Sequence, residues 1–159
     1  MPNSAKPGGN KQPPSSKGPL KCGEVDTYRE MKKRKTNKQE RDHVPATSSM
    51  LKAAEDKGYF KGLSGDERNC VAREIKMSAL TIAIPKGVHV QYSRTCKGRG
   101  GQARIDTDAQ NLDQAAKDDI ADLEDRVPDG CKAAYKKAAA KVKAQDHEGL
   151  FKKAKAKCT

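Results

Sequence analysis

The strongest constraint on the fold comes from the stretch between residues 40 and 89. It begins with ERDHVP at Glu40 and ends with LTIAIPKGVH at His89. Two of the three histidines of the chain, His43 and His89, lie near its two ends, each beside apolar or β-branched residues that can hold a side chain rigidly. A fold that brings these ends together would place a carboxylate, Asp42, beside two imidazoles. We expect the fold to bring the two ends together in this way.

The same stretch contains the clearest signals for local structure. Leu80–Ile84 is apolar and β-branched and is followed by a proline, which predicts a strand. Ser64 and Glu67 have the S-x-x-E spacing of a capping box and predict the start of a helix. The proline after the strand also favours a new helix over residues 86–94, with His89 in or near its first turn. These elements indicate an α+β fold.

Beyond residue 105 the sequence predicts helices. Apolar residues recur at steps of three and four through an acidic segment, which predicts one amphipathic helix over residues 106–129. The stripe consists of Leu112, Ala116, Ile120, Leu123 and Val127. The remaining residues are mainly alanine and lysine, which favour helix by propensity. We expect the first half of this segment to dock on the acidic helix and the second half to be mobile.

Length and composition predict one domain with basic tails. The chain has 159 residues, no tryptophan and two phenylalanines, so we expect a core that is small for its length. We divide the chain into a flexible linker over residues 1–20, a domain over residues 21–129 and a lysine-rich helical extension over residues 130–159. No apolar run is long enough to cross a bilayer or to form a secretory signal, so we expect no membrane insertion.

The charge is concentrated at the two ends of the chain. Residues 1–41 carry 11 Lys and Arg against 4 Asp and Glu, residues 42–129 carry 13 against 15, and residues 130–159 carry 9 against 2. Basic flanks of this kind favour a polyanionic partner, and nucleic acid is the leading candidate. Anionic lipid or an acidic protein would satisfy the same electrostatics.

The five cysteines are odd in number and include no C-x-x-C pair. This spacing argues against a structural zinc site and against a fully paired disulfide framework. We expect mostly reduced thiols, with an occasional disulfide after export.

The residue types around the two histidines suit metal-assisted cleavage of a phosphodiester. His43 can take a proton from water near neutral pH, and Asp42 and His89 offer donor atoms that divalent ions accept. Arg94 is our candidate for binding the phosphate through its planar fork. The alternative is a simple turn in which Asp42 accepts a backbone hydrogen bond. Further basic residues are expected to contact nucleic acid: Arg41, Lys86, Lys97, Arg99 and Arg104.

Two segments together resemble a known family. RDHVPA at residues 41–46 and TIAIPKGVH at residues 81–89, followed by SRT and glycines, are similar to the HNH/endonuclease VII nuclease toxins of bacteria. YREM at residues 28–31 resembles their lead-in segment. These toxins belong to the His-Me finger group and occur as C-terminal domains of polymorphic and type VI secretion effectors. The likeness covers roughly residues 22–127.

The resemblance implies a small ββα-metal core with mostly helical surroundings that holds one divalent ion. Mg²⁺ is the first candidate, with Mn²⁺, Zn²⁺ and Ni²⁺ as alternatives. Carried over by position, His43 would be the general base, and Asp42 and His89 would be metal ligands.

The same resemblance implies a function. It is that of an endonuclease toxin that hydrolyses DNA after a bacterial secretion system has delivered it to the cytoplasm of a target cell. The partners would be a carrier module N-terminal to the domain and an immunity protein, which the basic charge predicts to be acidic. An RNase toxin on the same scaffold and a non-enzymatic basic nucleic-acid-binding module remain the alternatives.

Overall fold

A computed structural model describes residues 17–159 and contains a small antiparallel sheet surrounded by helices. The sheet order is β1-β3-β2, so that β3 lies in the centre, and a long connection joins β2 to β3. The predicted α+β class is confirmed. The three strands are β1 Val25–Thr27, β2 Gln39–His43 and β3 Leu80–Pro85.

Eight α-helices cover most of the remaining described chain. They are α1 Tyr28–Lys32, α2 Thr47–Asp56, α3 Gly65–Ser78, α4 Lys86–Tyr92, α5 Gly101–Gln110, α6 Leu112–Leu123, α7 Lys132–Lys143 and α8 His147–Cys158. Short 3₁₀ turns at Cys96–Gly98 and Asp129–Cys131 join α4 to α5 and α6 to α7. No helix within residues 17–159 combines the length and the apolar content that crossing a bilayer requires.

The central strand β3 is covered on both faces because its side chains alternate between them. Ile82 and Ile84 enter a core that also contains residues of α6 and α7. Ala83 points the other way and packs with Leu20 and Met31. Leu80–Ile84 accordingly lacks the regular polar alternation of a half-exposed strand, and its one polar residue, Thr81, is buried and donates to the Asp26 carbonyl.

The long connection between β2 and β3 contains α2 and α3, which form a second core with α5 and α8. Its buried residues include Met50, Val71, Ile75 and Phe151. The predicted capping box is confirmed: the Ser64 hydroxyl accepts from the Glu67 amide, and the Glu67 carboxylate accepts from the Ser64 amide. Both hydrogen bonds satisfy backbone donors at the start of α3.

The predicted acidic helix is two helices rather than one. The chain leaves helical geometry at Asn111, whose φ is −151°, and the Asn111 side chain then accepts a hydrogen bond from the Gln114 amide at the start of α6. The apolar stripe was identified correctly, because Leu112, Ile120 and Leu123 are all buried. The break does not show in the sequence pattern because an apolar period indicates a helical face and does not reveal where a capping side chain such as Asn111 begins a new helix.

The C-terminal thirty residues are fixed to the rest of the fold at both ends. Disulfides join Cys22 to Cys131, before α7, and Cys70 of α3 to Cys158, at the end of α8. Cys96 is buried and unpaired. The expectation of mostly reduced thiols is therefore wrong for the structure, in which four of the five cysteines are paired.

The last helix, α8, is also not a projecting segment, contrary to the expected mobility. It packs against α3, and Phe151 has no solvent exposure. The predicted flexible linker over residues 1–20 lies mostly outside the described residues. Its last residues are held by Arg34, which donates to the carbonyls of Gly18 and Pro19, and Leu20 is fully buried.

Candidate active site

Strands β2 and β3 and helix α4 bring Asp42 and His89 together. In the antiparallel pair Asp42 lies opposite Ile82, and α4 follows directly after β3 and packs against both strands. This return places His89, one turn into α4, against the face of β2 that carries Asp42. The His89 Nε2 atom is 3.3 Å from Asp42 Oδ1. Residues that are more than forty positions apart in the chain thus form one contact.

His89 lies between two carboxylates. Glu40 is two positions before Asp42 on β2, so both side chains project from the same face of the strand. The Glu40 carboxylate forms an ion pair with His89 Nδ1, and Asp42, which is 5% exposed, lies at Nε2. Burial lowers the pKa of His89, but the hydrogen bond and charge of Asp42 and the charge of Glu40 outweigh it, so the pKa is raised overall. Glu40 was not predicted as a site residue, although its i, i+2 spacing from Asp42 was the available signal.

The donor set of this cluster suits a divalent cation. It contains an imidazole and two carboxylates, and the Nδ1 atom of His89 is buried without a hydrogen bond of good geometry. Carboxylate oxygen and imidazole nitrogen are ordinary ligands for Mn²⁺ and Zn²⁺. Among residues 17–159, however, no group of three or more His, Cys, Asp or Glu side chains is already spaced to hold a metal ion. Glu40 and Asp42 contact different nitrogens of the same ring.

His43 faces the other side of the sheet. It is the last residue of β2, and alternation along the strand directs it away from the face of Asp42 and Glu40. Its Nε2 donates to the Lys76 carbonyl at 2.9 Å, and its ring lies 4.8 Å from the ring of Tyr28. The structure therefore brings Asp42 to His89 but does not bring His43 into contact with either of them.

The surroundings of His43 keep its ring neutral and fix its tautomer. A carbonyl oxygen can only accept, so the bond to Lys76 requires the proton on Nε2 and leaves Nδ1 as an acceptor. Burial lowers the pKa of His43, against the opposing effects of the Lys76 carbonyl and the Asp42 charge. A neutral imidazole with an unprotonated Nδ1 can accept a proton from water.

Arg94 is occupied by carboxylates rather than available for a phosphate. Both of its terminal nitrogens bond Asp108, at 3.0 and 2.9 Å, and Nη1 also bonds Asp119 at 2.8 Å. Both aspartates are 5% exposed, and Arg104 also donates to Asp108. Arg94 thus connects the end of α4 to α5 and α6, which is a structural role that the sequence spacing did not reveal.

A second buried polar region adjoins this network. The Asp119 Oδ2 atom and the Tyr135 hydroxyl are both buried, and neither has a hydrogen-bond partner within residues 17–159. Burial, with the charge of Asp42 as a further cause, raises the pKa of Asp119 to about 7 and also raises the pKa of Tyr135. Asp42 therefore acts electrostatically on Asp119 of α6 and Tyr135 of α7 as well as on His89.

The five residues expected to contact nucleic acid divide into two groups. The three arginines bond backbone carbonyls: Arg41 donates to Met31 and Arg34, Arg99 to Val90 and Ser93, and Arg104 to Arg99. Lys86 and Lys97 are exposed. Arg99 is exposed as well, whereas Arg41 and Arg104 are half-buried.

Comparison of the chain with known protein families, with curated proteins and with solved structures found no match.

Proposed function

We propose that the chain is a metal-dependent endonuclease that hydrolyses phosphodiester bonds of DNA. The observation that carries the proposal is the contact between Asp42 and His89, which β2, β3 and α4 bring together from distant positions. Two antiparallel strands followed by a helix are the arrangement that the resemblance to His-Me finger nucleases implies. The basic flanks supply the charge that a polyanionic substrate requires.

Asp42 and the Nε2 atom of His89 are the groups that would hold a divalent ion, and Glu40, which contacts the other ring nitrogen, would orient the imidazole. Such an ion would neutralise charge on the phosphate and on the leaving oxygen. His43 would accept the proton of the attacking water at Nδ1, while its bond to the Lys76 carbonyl keeps the ring oriented. The side chains of these adjacent residues project from opposite faces of the sheet. For His43 and Asp42 to act on one phosphate, that phosphate must therefore lie at the end of β2.

The resemblance further suggests a biological setting. The enzyme would be a toxin domain delivered by a bacterial secretion system into the cytoplasm of a rival cell, carried by a module N-terminal to it. An acidic immunity protein would neutralise it in the producing cell. The net charge of +12 supports an acidic partner through electrostatic steering.

A non-enzymatic nucleic-acid-binding module is the second candidate function. The observation that favours it is the separation of His43 from His89 by the sheet, because a binding module needs no shared site for the two imidazoles. An RNase on the same scaffold is distinguished from a DNase only by its substrate.

The proposal is tested by incubating purified protein with plasmid DNA, and separately with structured RNA, in Mg²⁺ or Mn²⁺ with and without chelator. We expect cleavage of DNA that the chelator stops and that His43→Asn reduces by about 10²- to 10⁴-fold, the usual contribution of a general base. Asp42→Asn should also weaken Mn²⁺ binding in a calorimetric titration.

Lys61→Gln, an exposed change in the loop after α2, serves as the control and should cleave like the wild type. Retarded but intact DNA with every protein and metal would leave only the binding module. Cleavage of RNA with intact DNA would make the enzyme an RNase.

A further inference from the structure

A cluster of cations surrounds one aromatic ring on the side of the sheet that carries His43. The Nζ atoms of Lys32 and Lys76 lie 5.6 and 5.4 Å from the centre of the Tyr28 ring, within the range of a cation–π contact. The two ammonium groups are therefore within about 11 Å of each other. The Tyr28 ring in turn contacts the ring of His43. Two helices and the end of β2 thus bring two positive charges, an aromatic ring and an imidazole together.

The cluster differs from its surroundings in lacking negative charge. Nearby cations are neutralised, because Arg29 pairs with Glu74 and Lys33 pairs with Glu30. Lys32 and Lys76 are exposed, and within the described part of the chain no carboxylate oxygen lies at ion-pair distance from either of them. Each lysine lies in the last turn of its helix, where the helix dipole favours a cation. The dipole accounts for one lysine on each helix, but it does not account for their convergence on one ring.

We propose that Lys32 and Lys76, arranged around Tyr28 beside His43, form a site for the backbone phosphates of a nucleic-acid strand. The identification of the ligand rests on the proposed function, and the cluster adds the position of the strand. A strand carries one phosphate charge for about every 3.4 Å of helix axis, so a short segment presents charge to both ammonium groups together. A strand held here passes the end of β2, where His43 follows Asp42.

The test measures DNA affinity against salt concentration for Lys32→Gln/Lys76→Gln and for a matched control, Lys61→Gln/Lys117→Gln. All four lysines are exposed, so both variants should fold, and both lose two positive charges. The probe is a fluorescently labelled 20-base-pair duplex in chelator, which prevents cleavage. Removing two phosphate contacts should reduce the slope of log affinity against log salt by about 1.8 and weaken binding at 0.1 M salt by at least about tenfold. The control should change the slope by less than about 0.5.

The two double variants must behave differently for the phosphate site to stand. Equal slopes for the two variants, or no binding of the duplex by the wild type, would overturn it. Binding of phosphatidylglycerol vesicles that is lost in Lys32→Gln/Lys76→Gln, while its DNA slope stays unchanged, would assign the cluster to a membrane surface instead.

The result is separable from the outcome of the cleavage test. A reduced slope in Lys32→Gln/Lys76→Gln, with no cleavage of DNA by the wild type, would support the phosphate site and contradict the nuclease. Cleavage that depends on His43, with equal slopes for the two double variants, would support the nuclease and contradict the phosphate site.

Discussion

His43 and His89 show how two residues of one type acquire opposite properties from their surroundings. His89 lies between two carboxylates that favour its charged form, whereas His43 is half-buried beside a backbone carbonyl and an aromatic ring. The pKa of His89 is raised and that of His43 is lowered. At neutral pH the first is suited to hold a proton or a cation, and the second is suited to accept a proton.

An NMR titration should therefore give the two rings pKa values on opposite sides of 6.5, the ordinary pKa of histidine. We expect the Hε1 resonance of His43 to titrate below 6.5 and that of His89 above it, with His89→Gln and His43→Asn used to assign the signals. A His89 that titrates below 6.5 would show that Glu40 and Asp42 do not hold it as an ion pair.

The same shifts determine how each histidine affects stability. For His89 the folded pKa is raised, so the stability that its ion pairs contribute is fully present below pH 6.5 and is lost as the pH rises through the raised value. For His43 the sign is reversed, because the folded state favours the neutral ring and loses stability as the pH falls below 6.5.

The structural role of Arg94 gives a prediction that differs from a role in phosphate binding. Arg94→Ala leaves Asp119 buried without its partner and leaves Asp108 paired with Arg104 alone, so it should lower the free energy of unfolding by about 3 kcal/mol, the lower end for breaking a buried ion pair. Chemical denaturation measures this change. Arg73→Ala, on the exposed face of α3, should stay within about 0.5 kcal/mol of the wild type. Normal stability with weakened DNA binding in Arg94→Ala would restore the phosphate role.

At the scale of elements, boundaries with a local signal were predicted well. The capping box at Ser64 places the start of α3, and the proline at position 85 ends β3 and precedes α4. The three-residue strand β1 was not predicted, because the spacing of Val25, Tyr28 and Met31 is also that of a helix. Such a short segment becomes a strand because it pairs with β3, which lies more than fifty residues away.

The break between α5 and α6 depends on Asn111, and this dependence can be tested. Asn111→Ala removes the side-chain acceptor for the Gln114 amide and should lower the free energy of unfolding by about 1 kcal/mol. Asn111→Asp keeps an acceptor and should recover most of that loss. Thermal or urea unfolding measures both variants. An alanine variant as stable as the wild type would mean that the two helices can join into the single helix predicted from the sequence.

At the scale of the whole molecule, the two disulfides fix the C-terminal pair of helices. They connect residues separated by 109 and 88 positions, and both tie the last thirty residues to the remainder of the chain. Between them, α7 packs against β3 and the Gln145 side chain accepts from the Leu80 amide. The lysine-rich segment is thus part of the support of the sheet that carries the candidate site.

Reduction of these disulfides should destabilise the protein substantially. Closing loops of this length is worth about 4–5 kcal/mol each if the effect is entropic, so a reducing agent should lower the melting temperature markedly. The combined Cys22→Ser and Cys70→Ser variant should melt at the lower temperature and should no longer respond to the reductant. Cys96→Ser, which removes the unpaired thiol, should keep the response. An unchanged melting temperature on full reduction, checked by counting free thiols, would contradict this account.

The sequence by itself determined the features whose causes are local. A proline, a capping box, apolar residues at every third or fourth position, and a short run of apolar and β-branched residues each act within a few residues. These signals determined β3, α3, α4 and the buried stripe of α6. The residue pattern predicted that the two ends of residues 40–89 meet and bring Asp42 to both imidazoles, and the structure brings it to His89 alone.

Only the tertiary structure decided which groups share an environment. It assigned Glu40 to the cluster, directed His43 to the opposite face of β2, gave Arg94 two carboxylate partners and paired four cysteines. These outcomes depend on strand register and on contacts between distant segments, where a shift of one residue reverses the face of every side chain. Residue spacing along the chain does not contain that information, because it is fixed when the sheet and the helices pack.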